Sequence, residues 1–218
     1  QEDVTRPSRN VILHIKGTDE TEQNITFGAH FDSVQFSHGV YDNGAGSVIL
    51  MELARHYNER GADELIIFDL SDSDEEHDET INLLKQINRA ISIPMVVGGN
   101  IRRAEDVKKI LYAGAKRAML NFSKALSIEL IEEVSKRFGK ERIAVSLNDF
   151  DALFKQQHLI EAYSTEMIFM HRLDLNSVVN VTETQCVVVT DTMDENEILN
   201  ILKSDGVKGV SGRFISRL

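Results

Sequence analysis

The sequence predicts an α/β fold in which parallel strands alternate with helices, and three observations carry that prediction. First, from residue 61 onward short apolar, often β-branched runs recur, their starts separated by 30, 23, 25, 24, 19 and 21 residues. Second, each interval holds a polar loop and a stretch with helical spacing of its apolar residues. Third, the runs are solidly apolar rather than alternating, as expected of strands covered on both faces. Strict β-α alternation of this kind fits a βα barrel or a doubly wound sheet.

Taken in order, the predicted strands are Leu65–Phe68, Met95–Val97, Ala118–Leu120, Ile143–Val145, Met167–Met170, Cys186–Val189 and Val207–Val210. Between them Ile81, Leu84, Ile87 and Ile91 step along one helical face. Val107, Ile110 and Leu111 do the same, as do Ile128, Ile131, Val134 and Phe138. The first 60 residues follow a different pattern. Asn10–Lys16 and Asn24–Phe31 read as a hairpin around Gly17-Thr18-Asp19-Glu20. A loop with Gly and His follows, then a helix from about Gly44 to Arg60.

Composition excludes several classes. Lys and Arg number 24 against 35 Asp and Glu, a net charge of −11, which repels phosphate backbones and argues against nucleic acid as a partner. The single Cys186 excludes an internal disulfide and a cysteine-rich zinc site. No run of eighteen apolar residues marks a membrane span, and Gln1-Glu2-Asp3 lacks the basic start of a signal peptide. A soluble, cytoplasmic protein with no membrane partner is expected. Aromatics are 6% with no Trp, so Ile, Leu, Val and Ala must build the core.

Residues 61–218 resemble the histidine-biosynthesis barrels, the isomerase and cyclase group. The matching stretches are Gly61–Leu70, Ile93–Ile101, Ala113–Asn121 and Phe138–Ser146. The resemblance implies a (βα)8 TIM-type barrel that binds phosphorylated small molecules at the C-terminal strand ends. Residues 1–60 resemble the di-zinc aminopeptidases, through Gly28-Ala29-His30-Phe31-Asp32-Ser33-Val34 and Gly39–Ser47. That likeness implies His30 as a zinc ligand, Asp32 as the carboxylate that orients it and Asp42 as a bridging carboxylate. It would also allow an export signal removed ahead of residue 1. Together the two imply a chimera: an aminopeptidase-like segment supplying strand one and helix one to barrel units two to eight, with an extra N-terminal hairpin strand.

The chemistry follows from these resemblances. The histidine barrels use two aspartates as acid and base, at the ends of strands one and five. Asn148 stands at the second position, and an amide carries no proton at neutral pH. Asp32 could fall at the first. Asp69 ends the strand at Leu65–Phe68, either lining the barrel mouth or bonding within its loop. Gly98, Gly99 and Asn100, then Asn121 and Ser123, then Ser211 and Gly212 are the candidate phosphate contacts, with Arg213 adding charge. Asp69, Gly99, Asn121, Asn148 and Ser211 are expected at one end of the barrel. Asp74-Glu75-Glu76-His77 reads as an acidic helix N-terminus in preference to the aminopeptidase Glu pair.

Three functions remain open at this point. The first is a phosphate-ligand-binding barrel with degenerate isomerase or lyase chemistry. The second is a zinc-dependent peptidase at His30 and Asp42, and the third an inert structural module.

Overall fold

The computed structural model describes residues 44–122, 125–147, 150–169, 184–190, 192–204 and 206–212. The hairpin expected at Asn10–Phe31 lies outside them, as do His30, Asp32, Asp42, Ser123, Asn148 and Arg213. Two compact units divide the chain at residues 47 and 48, and the described strands all belong to the second.

The chain runs through α1 (Gly44–Glu59), β1 (Leu65–Phe68), α2 (Asp74–Ala90), β2 (Met95–Gly98), α3 (Ala104–Tyr112) and β3 (Arg117–Asn121). It continues through α4 (Ala125–Phe138), a 3-10 turn (Lys140–Arg142), β4 (Ile143–Leu147), α5 (Phe150–Tyr163) and β5 (Glu166–Phe169). Then come β6 (Gln185–Thr190), α6 (Glu195–Leu202) and β7 (Val207–Gly212). Every strand predicted from residue 61 onward is present, most of them one or two residues longer than the apolar run that announced it.

All seven strands form one sheet in the order β1-β2-β3-β4-β5-β6-β7, and every neighbouring pair is parallel. A doubly wound sheet reverses strand order at a switch point. This sheet has no reversal, so of the two architectures open at the sequence level it is the barrel type.

Helix termini explain where α2 and α6 begin. Ser73 caps α2, its hydroxyl accepting from the Glu76 N–H at 3.1 Å, while the Glu76 carboxylate accepts from Asp72 N–H at 2.8 Å. Asp74, Glu75 and Glu76 form the acidic first turn, where free amide groups favour negative charge. Asp194 caps α6 in the same way, accepting from Asn196 N–H at 2.8 Å and Glu197 N–H at 3.3 Å.

The two faces of the sheet bury different partners. Met95 and Val97, Ala118 and Leu120, Ile143, Val145 and Leu147, Met167, Cys186 and Val188 pack with helix residues such as Leu84, Ile87, Val107, Ile110, Ile131 and Val134. The alternate residues Val96, Met119, Ala144, Ile168 and Val187 form a second cluster made only of strand residues, with Ile66 and Val189 against it. Val96, Ala144 and Ile168 are fully buried although, among the described residues, no helix belongs to their cluster. A sheet that curls on itself buries such a face against its own strands.

An ionic layer at the N-terminal strand ends shows the curl directly. Arg117 at the start of β3 reaches Glu64, just before β1, at 3.3 Å and Glu166 at the start of β5 at 2.7 Å. Lys208 of β7 contacts Glu166 at 3.1 Å and Glu64 at 3.6 Å. The first and seventh strands of a flat sheet would lie about 29 Å apart at the usual strand spacing. The Glu64–Lys208 contact therefore requires a curved sheet. Alternate strands supply this layer, as they supply the stacked layers inside TIM barrels.

Candidate functional site

The C-terminal strand ends gather four of the five residues expected there. Asp69 follows β1, Gly99 follows β2, Asn121 ends β3 and Ser211 lies in the last turn of β7. Asn148 follows β4 and lies outside the described residues. By the alternation that sends Met119 inward, Asn121 faces the interior at the mouth. Ser211 pairs in register with Val189, whose side chain packs on the interior cluster, so it faces the same way. Gly98 is also interior: a Cβ there would sit 2.6 Å from Met119 Cε.

Asp69 has the opposite parity. Leu65 and Ile67 pack against the helix-side core and Ile66 against the interior cluster. Its carboxylate accordingly turns away from the mouth and is 2% exposed. Oδ2 meets His77 Nδ1 of α2 at 2.5 Å, and Oδ1 accepts from the Ser71 hydroxyl at 2.7 Å and the Ser71 N–H at 3.0 Å. Of the two readings open for Asp69, the geometry is that of the loop hydrogen-bonder. Opposite a carboxylate oxygen, Nδ1 is the donor when it carries the ring proton. The β1 side chain directed to the mouth is Phe68, 42% exposed.

The loop after β2 is joined to this buried group. Asn100 Nδ2 donates to the Ser71 hydroxyl at 2.8 Å, and Asp69 N–H donates to Gly98 carbonyl at 2.7 Å. Gly99 has φ +88° and Asn100 φ +45°, both left-handed. At Gly99 the glycine is obligatory for a second reason, since a Cβ would lie 2.0 Å from the Asp69 carbonyl oxygen.

His77 and Ser71 are functional candidates that sequence reasoning passes over. His77 appears there only as the end of an acidic helix start. No sequence signal marks His77, because Leu65-Ile66-Ile67-Phe68 is apolar throughout and does not say which side of β1, and so Asp69, faces the helices.

Among the described residues no group of three or more His, Cys, Asp and Glu is placed to hold a metal ion. Glu75 and Glu76, weighed as the aminopeptidase pair, lie in the first turn of α2, where Glu76 closes the cap. At the opposite end of the sheet, burial and the neighbouring Glu166 raise the Glu64 carboxyl above its ordinary range, against the pull of Lys208 and Arg117. None of the described helices is long and apolar enough to cross a membrane.

Comparison with known proteins adds a second line of support. The imidazole glycerol phosphate synthase subunit HisF of Methanococcus maripaludis is 40% identical over 98 residues, 45% of this chain and 36% of the relative. The same subunit of Methanococcus vannielii matches equally, at 40% over 98 residues. These alignments thus span little more than a third of the relatives' length. The profile of a family described as "Histidine biosynthesis protein" matches residues 32–209. That match reaches into the stretch that resembles an aminopeptidase, and these relatives lend the aminopeptidase likeness no support. With a match running from ahead of α1 into β7, over a parallel sheet in strict barrel order, the chain belongs to the histidine biosynthesis protein family.

Proposed function

We propose that the chain binds a phosphorylated small molecule at the C-terminal strand ends and lacks the proton transfer of the family's isomerases and cyclases. The observation that carries the reading is the left-handed Gly99–Asn100 turn after β2, at the same C-terminal strand ends as Asn121 of β3 and Ser211 of β7. Backbone amides and neutral side chains suit a phosphate in a chain of net charge −11, because they supply donors without needing a cationic patch. Relatives named as imidazole glycerol phosphate synthase subunits favour the same ligand class.

The loss of chemistry rests on Asn148. Its amide stands where the family resemblance places an acid–base carboxylate, and it can neither take nor give a proton at neutral pH. Asp69 does not replace that carboxylate, because both its oxygens are engaged behind the sheet.

Thermal melting with ribose 5-phosphate and with ribose tests the reading. The phosphate ester should raise Tm and ribose should not; a ligand at one hundred times its Kd adds about 2.7 kcal/mol. Equal melting in both would sink the phosphate reading. Isomerase or cyclase turnover at enzyme-like rates would overturn the degenerate one, whereas activity appearing only in Asn148→Asp would support it.

A further inference from the structure

We propose that His77 is a positioning residue that locks the Gly99–Asn100 turn through a buried hydrogen-bond chain. The inference rests on the phosphate reading for its functional meaning and on the geometry alone for the lock.

The chain joins three segments. His77 in the first turn of α2 donates from Nδ1 to Asp69 at 2.5 Å. Asp69 accepts the Ser71 hydroxyl at 2.7 Å, and that hydroxyl accepts the Asn100 side-chain amide at 2.8 Å. The donors from Asn100 therefore run one way along the path, the Ser71 hydroxyl both accepting and donating. Asn100 donates to Ser71, Ser71 donates to Asp69, and His77 donates to Asp69 from the other side.

Burial makes His77 the keystone of this chain. Its side chain is 3% exposed and that of Asp69 1%, so water does not readily replace a lost donor. A buried carboxylate deprived of a hydrogen bond is costly, and the cheapest relief is to swing toward solvent. Asp69 would then leave Ser71, and Ser71 would no longer fix Asn100. The Asn100 backbone at φ +45° is an uncommon conformation for a residue with a side chain, and it persists where surrounding contacts hold it. The Ser71–Asn100 bond is such a contact. Its loss frees the turn to relax away from the left-handed conformation that Gly99 and Asn100 hold.

His77→Leu fills similar space without the donor, and His77→Asn places an amide nitrogen where Nδ1 stands. The lock is read without ligand, as the NMR signals of the Asn100 side-chain amide, which exchange slowly when one proton is held by Ser71. In the wild type and in His77→Asn that exchange should be slow. In His77→Leu it should accelerate at least tenfold, with the ribose 5-phosphate Kd weakened about tenfold, and His77→Asn should recover both to within threefold. Should His77→Leu fail to fold, Ser71→Ala breaks the same chain at a half-buried position and leaves the His77–Asp69 pair in place, and the same tenfold acceleration is expected. Unchanged Asn100 exchange in the folded variant would overturn the lock. Slow exchange in a wild type with no affinity for ribose 5-phosphate would support the lock and sink the phosphate reading, so the two fail separately.

Discussion

Cys186 faces the helices from β6 and is buried, and its thiol is pushed up to about 12 by burial and by the nearby Glu166. Only the thiolate attacks, so Cys186 should resist iodoacetamide at pH 8 in the folded protein and label fully in urea. Rapid labelling of the native state, followed by mass spectrometry, would contradict this burial. Glu64 gives a pH dependence with a definite sign. Its carboxyl is raised in the folded protein, so the folded state holds that proton more tightly than the unfolded chain does. Its favourable contribution is complete below the ordinary Glu pKa and is lost as pH rises through the raised value. The urea-unfolding stability of the wild type relative to Glu64→Gln should therefore decline with rising pH across that window. A difference that stays flat, or one that grows, would show that Arg117 and Lys208 dominate instead.

Elements are positioned by local signals that act at their ends. Ser73→Ala removes the α2 cap and should cost about 1 kcal/mol in urea unfolding. Gly99 is a harsher test, because a side chain there meets the Asp69 carbonyl as well as a left-handed backbone. Gly99→Ala should cost about 2–5 kcal/mol, the sum of overpacking and left-handed strain. A loss below that range would mean that the β1–α2 and β2–α3 loops are free to separate. The strands and helices themselves were legible from apolar spacing, since Leu84, Ile87, Val107, Ile110, Ile131 and Val134 all reach the core from the faces their period marks. The direction of Asp69 was not legible. Leu65-Ile66-Ile67-Phe68 is apolar at every position, so alternation cannot say which side faces the helices.

On the scale of the whole sheet, the interior cluster tests the curl. Ile168 is fully buried among Val96, Met119, Ala144 and Val187, so Ile168→Ala should lower stability by about 2–5 kcal/mol. An effect under 1 kcal/mol, about that of a surface site, would mean that this face is open to solvent. The ionic layer belongs to the same scale. Glu64, Arg117, Glu166 and Lys208 are charges at or within apolar runs, separated by up to 144 positions if counted from Glu64 to Lys208. Nothing local distinguishes them from surface residues, and only closure of the arc sets them side by side.

The alternation of apolar runs with helical periods determined the order and parallel sense of the elements, because each signal is complete within a few neighbouring residues. The same applies to the loop Gly98-Gly99-Asn100, whose composition marks a turn at a strand end. Which face of each strand became interior was decided by tertiary structure, because both faces are apolar and only the curl makes them unequal. That choice sent Asn121 and Ser211 to the mouth and turned Asp69 toward His77.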